Sequence, residues 1–202
     1  MNIYIIVHPV IKDIKKVTQI KDDDYVIAVD SAYLACQKQG IKVDLTIGDF
    51  DTLSNYESII EKDKYIKLNP IKDYSDTYYA LEHAKSLNPK KIYLVGGIGG
   101  LRFEHTYANI LLLINNPNLT IITNESEINI LKEGNHKVKF DGYINIFSVK
   151  ESLISLKGFK YDLNNYLLMP SNSVGLSNEI LNNEGVITVS RGKLILIKTN
   201  YD

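Results

Sequence analysis

The sequence predicts an α/β protein in two parts: a layered α/β domain with a mostly parallel sheet over residues 1–124, then an all-β sandwich over residues 125–202. Up to about Glu125, short branched apolar runs alternate with amphipathic stretches, the pattern of strands covered by helices. Beyond it no long helical period remains, and short β-like runs recur between turn residues. An acidic pair and a glycine cluster also follow directly after strand-like runs, where parallel α/β sheets bind their ligands.

The strand-like runs of the first part are Asn2 to Val7, Tyr25 to Val29, Leu45 to Ile47, Lys64 to Leu68, Lys91 to Val95 and Leu119 to Thr123. Between them, Ser31 to Gln39, Ser54 to Glu61, Asp76 to Lys85 and Glu104 to Asn115 read as helices. In the second part the runs are Ile128 to Leu131, Lys137 to Phe140, Tyr143 to Ser148, Ser152 to Leu156, Gly185 to Ser190 and Lys193 to Thr199. Glu-Gly-Asn, Asp-Gly-Tyr, Asn-Asn-Glu-Gly and Arg-Gly-Lys turns separate several of them. A β-domain of this size is marginal alone, so it is expected to pack on the first domain or on another subunit.

Of 202 residues, 45% are hydrophobic, enough for a packed core, and 23 basic against 24 acidic residues leave a net charge of −1. That balance gives no field to hold nucleic acid or an anionic membrane. The N-terminal apolar run is too short for a leader or a membrane span and lacks basic flanks, so a cytoplasmic location is expected. Cys36 is the only cysteine, which excludes an intrachain disulfide and a thiolate zinc cluster; within a helix-like stretch it reads as a core residue.

Chemistry concentrates in three clusters. In Gly48-Asp-Phe-Asp-Thr52, Asp49 and Asp51 are spaced so that extended backbone would turn both carboxylates to one face, an arrangement suited to Mg²⁺. Magnesium completes its shell with water and substrate phosphate, which points to phosphoryl-type chemistry. In Lys72-Asp-Tyr-Ser-Asp-Thr77, Ser75 and Asp76 serve equally well as a helix N-cap and first-turn acid. Asp73 lies outside the helix, and Asp49 and Asp51 could share their cation with either Asp73 or Asp76.

The third cluster, Gly96-Gly-Ile-Gly-Gly-Leu-Arg-Phe-Glu-His-Thr-Tyr-Ala-Asn109, runs from strand through glycine loop to helix and suits a phosphate cradle. No Gly-Lys-Ser/Thr follows, so it is not a P-loop, and Arg102 stands where a dinucleotide fingerprint would place its third glycine. Arg102, one of two arginines, reads as a phosphate contact in preference to a surface partner of Glu104. His105 and Asn109 lie four apart on one helical face; His105 reads equally as packing and as substrate contact, and apolar Ile110 to Ile114 implies burial of the remaining helix. In the β-rich part, Gly158 to Leu163 offers Tyr161 as an aromatic platform, and Ser173 to Glu179 groups hydroxyl and amide side chains.

Together and in this order, from Asp30 through these five motifs, the chain resembles the thiamine pyrophosphokinase (thiamin diphosphokinase) family. The resemblance implies an α/β nucleotide-binding domain followed by a β-sandwich, in a homodimer with thiamine bound near the subunit interface. It implies Mg²⁺ at Asp49, Asp51 and Asp76, with Asp73 close to the same phosphates. ATP would be held by Asp30, Gly97, Gly99, Gly100, Arg102, His105 and Asn109, and thiamine by Tyr161, Ser173, Ser177 and Asn178. The thiazolium is cationic, so an aromatic face there has a physical reason. The family often has a glycine pair where this chain has Ser31-Ala32, and commonly Ser at Thr52, Thr at Ser75, Asp at Glu104 and Trp at Tyr161.

The implied reaction moves the pyrophosphoryl group of ATP onto the hydroxyethyl oxygen of thiamine, releasing AMP, with Asp73 as a candidate proton acceptor. The rivals are transfer to another heterocyclic alcohol such as a pterin, and a regulator that binds thiamine or nucleotide without turnover.

Overall fold

Ile3–Val7 is buried at all five positions, as a strand covered on both faces must be. The computed structural model describes residues 1–53 and 55–201. Its first elements are β1 (Ile3–Val7), α1 (Ile14–Val17), β2 (Tyr25–Val29), α2 (Ala32–Lys38), β3 (Leu45–Gly48), α3 (Tyr56–Ile59), β4 (Tyr65–Lys67), α4 (Asp76–Ser86), β5 (Ile92–Gly96), α5 (Phe103–Leu112) and β6 (Leu119–Ile122). β7 (Ser126–Leu131), β8 (Gly134–Val138), β9 (Tyr143–Ser148), β10 (Ser152–Lys157), β11 (Leu163–Leu168), β12 (Gly185–Arg191) and β13 (Leu194–Thr199) follow. The chain divides into two units, Met1–Leu112 with Ile121–Asn124, and Leu113–Thr120 with Glu125–Asp202.

In the first unit the strands lie in the order β4-β3-β2-β1-β5-β6. β1 runs parallel to both β2 and β5, and β2-β3 and β3-β4 are parallel too. Strand order therefore reverses between β1 and β5, which opens a crevice at their carboxyl ends. Ile6, Val26, Ala28, Ala32, Cys36 and Val95 belong to the core on one side. Burial pushes the Cys36 thiol up to about 12, in keeping with a packing role.

The helices depart from the sequence reading in ways that packing explains. α1, too short for a periodic signal, is capped by Asp13, which accepts from Lys16 N at 3.2 Å, and is anchored by fully buried Ile14. The stretch expected as a helix from Ser54 to Glu61 keeps a single α-turn at Tyr56–Ile59, and Ser54 itself lies outside the described residues. In α5 and the 3-10 turn Leu113–Asn115 that follows, the buried positions are Thr106, Asn109 and Leu113, whereas Leu111 is exposed. Burial follows this three-then-four spacing, not the apolar run Ile110 to Ile114.

The second unit is a β-sandwich. β13 pairs antiparallel with β7 and β9, and a second antiparallel sheet has the order β11-β10-β12-β8. Alternate residues of both sheets, among them Ile144, Ile146, Ile154, Leu156, Leu194 and Leu196, form one core. The strand expected at Lys137 to Phe140 lies at Gly134–Val138, where it pairs with β12. β11 escaped the sequence reading because exposed Asn164 and Asn165 break its alternation. Lys193 Nζ donates to Ile114 O at 2.9 Å, tying the 113–120 segment to this unit. Among the described residues no helix is long and apolar enough to cross a membrane.

Candidate active site

The acidic pair sits where β3 ends, but its side chains do not converge by strand alternation. Phe50, between them, takes a left-handed backbone (φ 59°) and buries its ring against Tyr56, with centroids 4.3 Å apart. Beside this anchor Asp51 is exposed and Asp49 half-buried, and Asp51 N donates to Asp49 Oδ1 at 3.4 Å. The neighbouring strand supplies a third carboxylate. Asp30, just past β2 and also left-handed (φ 49°), donates its N–H to Ile47 O at 2.9 Å. A Cβ on Gly48 would come within 3.0 Å of Asp30 Cβ, so glycine there lets the two strand ends approach.

As a result, Asp30, Asp49 and Asp51 each offer an oxygen within 4.8 Å of the others. Thr52 Oγ1 donates to Asp30 Oδ2 at 2.5 Å, while Asp30 Oδ1 is buried without a hydrogen-bond partner among the described residues. Three hard oxygen donors, one of them orphaned, fit a divalent cation such as Mg²⁺.

Asp76 joins this group through a lysine. Lys72 Nζ donates to Asp49 Oδ2 at 2.7 Å and lies 3.1 Å from Asp76 Oδ1, an ion pair whose angles fall short of a hydrogen bond. Lys72 holds the Asp49 carboxyl below the usual carboxylate range, ahead of an opposing effect of burial. Burial raises Asp76 above that range in spite of Lys72. Burial also works against the Lys72 ammonium, but its two carboxylates together hold it above the ordinary lysine value. Ser75 caps α4 by accepting from Tyr78 N at 3.2 Å, and Asp73 is exposed beside it.

The glycine loop after β5 packs tightly on the segment that follows β1. A Cβ on Gly96 would meet Val7 O at 2.5 Å and Pro9 O at 2.6 Å, and Gly97 N donates to Pro9 O at 3.2 Å. Asn109, buried in α5, donates from Nδ2 to Gly97 O at 2.8 Å, and Thr106 Oγ1 accepts from Gly99 N at 2.8 Å. Asn109 thus braces the loop from behind, while Gly100 and His105 lie on the accessible side. Arg102 does make the ion pair that the sequence reading ranked second: its Nε is 2.9 Å from Glu104 Oε1, with both side chains well exposed. That pairing holds the Glu104 carboxyl below its ordinary range.

In the second unit, Asn178 is 1% exposed and fully committed: Oδ1 accepts from Tyr161 N at 3.0 Å and Glu179 N at 2.9 Å, and Nδ2 donates to Tyr161 O at 2.9 Å. These bonds fix the backbone under the exposed Tyr161 ring. Ser177, left-handed at φ 53°, donates its N–H to Asn145 Oδ1 at 2.8 Å, and Ser173 and Ser177 are both exposed.

The model of the "Thiamin pyrophosphokinase, catalytic domain" family matches residues 17–123, and that of the "Thiamin pyrophosphokinase, vitamin B1 binding domain" family matches residues 125–196. The chain belongs to the thiamin pyrophosphokinase family. It is 28% identical over 189 residues to a thiamine pyrophosphokinase of Bacillus subtilis (strain 168), covering 86% of each chain. The crystal structure of thiamine pyrophosphokinase from Bacillus subtilis superposes with a TM-score of 0.83 at 26% identity, covering 99% of both chains. A thiamin pyrophosphokinase family protein from Enterococcus faecalis, 21% identical and covered fully on both sides, shares the fold with a TM-score of 0.85.

The function is accordingly that of a thiamine pyrophosphokinase, and neither a pterin pyrophosphokinase nor a non-catalytic regulator is favoured. Within this thiamin pyrophosphokinase fold the sequence reading gave no role to Lys72, Thr106 and Asn145. Lys72 and Thr106 lie inside motifs, but a lysine beside acids reads as a solvated pair, and Thr106 and Asn145 carry no chemical signal beyond their hydroxyl or amide.

Proposed function

We propose that this chain transfers the pyrophosphoryl group of ATP to the hydroxyethyl oxygen of thiamine, giving thiamine diphosphate and AMP. The observation that carries the proposal is the convergence of Asp30, Asp49 and Asp51, with Asp30 Oδ1 left without a partner among the described residues. Asp30, Asp49 and Asp51 would hold Mg²⁺, with Asp76 at the margin through Lys72. The ion, when bound, neutralises phosphate charge and orients the phosphates.

The chain's own groups do the rest. The N-terminal end of α5 and Arg102, released from Glu104, receive phosphate oxygens beside exposed Gly100 and His105, while Gly97 and Gly99, whose N–H groups are spent on Pro9 O and Thr106 Oγ1, hold the loop in shape. Tyr161 stacks on the thiazolium face, and Ser173 and Ser177 hydrogen-bond the ligand, over backbone held by Asn178. The alcohol oxygen bonds to the β-phosphorus, the bond from that phosphorus to the α,β-bridging oxygen breaks, and AMP leaves. Asp73, exposed beside α4, accepts the hydroxyl proton. Exposed Val174 and Leu176 near the thiamine-facing serines support a homodimer with thiamine close to the subunit interface. A cytoplasmic setting, where ATP is available, completes the reading.

The test is to incubate the protein with ATP, thiamine and Mg²⁺ and to quantify both products. Equimolar AMP and thiamine diphosphate, lost on adding EDTA, is the expected result. ADP with thiamine monophosphate would mean attack at the γ-phosphorus and would refute it.

A further inference from the structure

Lys72 sits on a carboxylate, Asp49, that a metal at the acidic cluster would also use. Its side chain is 11% exposed, and its ammonium bridges Asp49 Oδ2 at 2.7 Å and Asp76 Oδ1 at 3.1 Å. Asp49 is also one of the three carboxylates whose oxygens gather within 4.8 Å. An ammonium in contact with Asp49 and a divalent cation bound to the same carboxylate repel each other across a short, poorly solvated gap. Neutralising the cluster before any metal arrives nevertheless requires a cation there, because Asp30, Asp49, Asp51 and Asp76 lie close together.

We propose that Lys72 is a displaceable counter-cation: it neutralises Asp49 and Asp76 in the nucleotide-free protein, then yields Asp49 to the metal and turns to the phosphates when metal and nucleotide enter together. The inference rests on reading Asp30, Asp49 and Asp51 as the Mg²⁺ site. Two features suit Lys72 to the task. Lysine carries a compact charge on a flexible stem, without the fork that fixes arginine on a carboxylate. One of its two contacts, that to Asp76, also lacks hydrogen-bond geometry, so Asp49 is the main bond to be broken. The consequence is coupling: metal alone must displace the lysine without compensation, whereas metal with nucleotide offers it new anionic partners.

The experiment is a Mn²⁺ titration followed by electron paramagnetic resonance on the full-length protein, K72M, K72Q and D51N, with and without an ATP analogue whose α,β-bridge resists cleavage. Without nucleotide, both Lys72 variants are expected to bind Mn²⁺ about tenfold more tightly than the parent, a difference of about 1.4 kcal/mol. With the analogue, the advantage disappears and the variants bind the analogue more weakly than the parent. In EDTA both variants melt below the parent, and Mn²⁺ raises their melting temperature more than the parent's. If D51N abolishes Mn²⁺ binding but the Lys72 variants bind it no better than the parent, Lys72 is a fixed ion pair and the proposal fails while the metal site stands. If D51N binds Mn²⁺ as the parent does, the metal site and the proposal fall together. Should K72M not fold, K72Q decides the same question.

Discussion

The acidic cluster and the loops that carry Tyr161, Ser173 and Ser177 treat their polar groups in opposite ways. In the first, Asp30 keeps a buried oxygen without a partner among the described residues, two carboxylates share one lysine, and two non-glycine residues, Asp30 and Phe50, are left-handed. In the second, Asn178 and Asn145 spend their amides on neighbouring backbone, and the exposed residues rest on a satisfied frame. The contrast separates chemistry from recognition: a site that must gather charge keeps it poorly compensated, while loops that present a surface are held still.

The largest effect expected from breaking this contrast comes from Asp51→Asn. Activity should fall at least about a thousandfold, roughly 4 kcal/mol of barrier, with no loss of melting temperature, because the exposed Asp51 side chain supports no core contact. Steady-state kinetics beside a thermal melt checks both halves. Asn178→Ala should do the reverse. It strands Tyr161 N, Tyr161 O and Glu179 N, costing roughly 2–3 kcal/mol of stability, and it raises KM for thiamine more than it lowers kcat; denaturant unfolding and a KM–kcat comparison read this out. Gly97→Ala should cost about 1–2 kcal/mol, because φ is +70° and the new Cβ would lie 2.7 Å from Asn109 Nδ2, and the damage should register in KM for ATP.

The smallest effect is expected from Glu104→Gln. Its ion pair with Arg102 is well exposed, so the unfolding midpoint should not move, and KM for ATP should fall as Arg102 is freed for phosphate. Cys36 provides the folding control for every variant. With its thiol pushed up to about 12 by burial, the folded proteins should resist a thiol reagent at pH 8 and react fully only in denaturant.

The same contrast explains what the sequence made legible. Asp49, Asp51 and the glycine loop could be read because each cluster is contiguous and ends an apolar run. Asp30 as a partner of Asp49 and Asp51 could not, because the link is the parallel register of β2 on β3, Val29 opposite Ile47, and Gly48 beside Asp30. Phe50 shows why spacing misled: the expected alternation across one face is replaced by a turn whose sign is set by a buried ring. Arg102 and Glu104 paired because they are close in sequence and both reach water, which a phosphate-centred reading of the loop discounted. β11 was illegible because its period is truly broken: its register on β10 slips by one residue across Asn164 and Asn165, with Asn165 left-handed (φ 46°), and in the shifted β8 polar Asn135 and His136 carry no apolar alternation although the pairing with β12 is regular.

The most direct test of the central claim is a crystal of the protein with Mn²⁺ and an uncleavable ATP analogue, with the metal located by anomalous scattering. The account expects a peak coordinated by carboxylate oxygens of Asp30, Asp49 and Asp51, with Lys72 Nζ moved off Asp49 onto a phosphate oxygen. A metal bound elsewhere, or analogue bound with Lys72 still on Asp49 and no metal at the cluster, would contradict it.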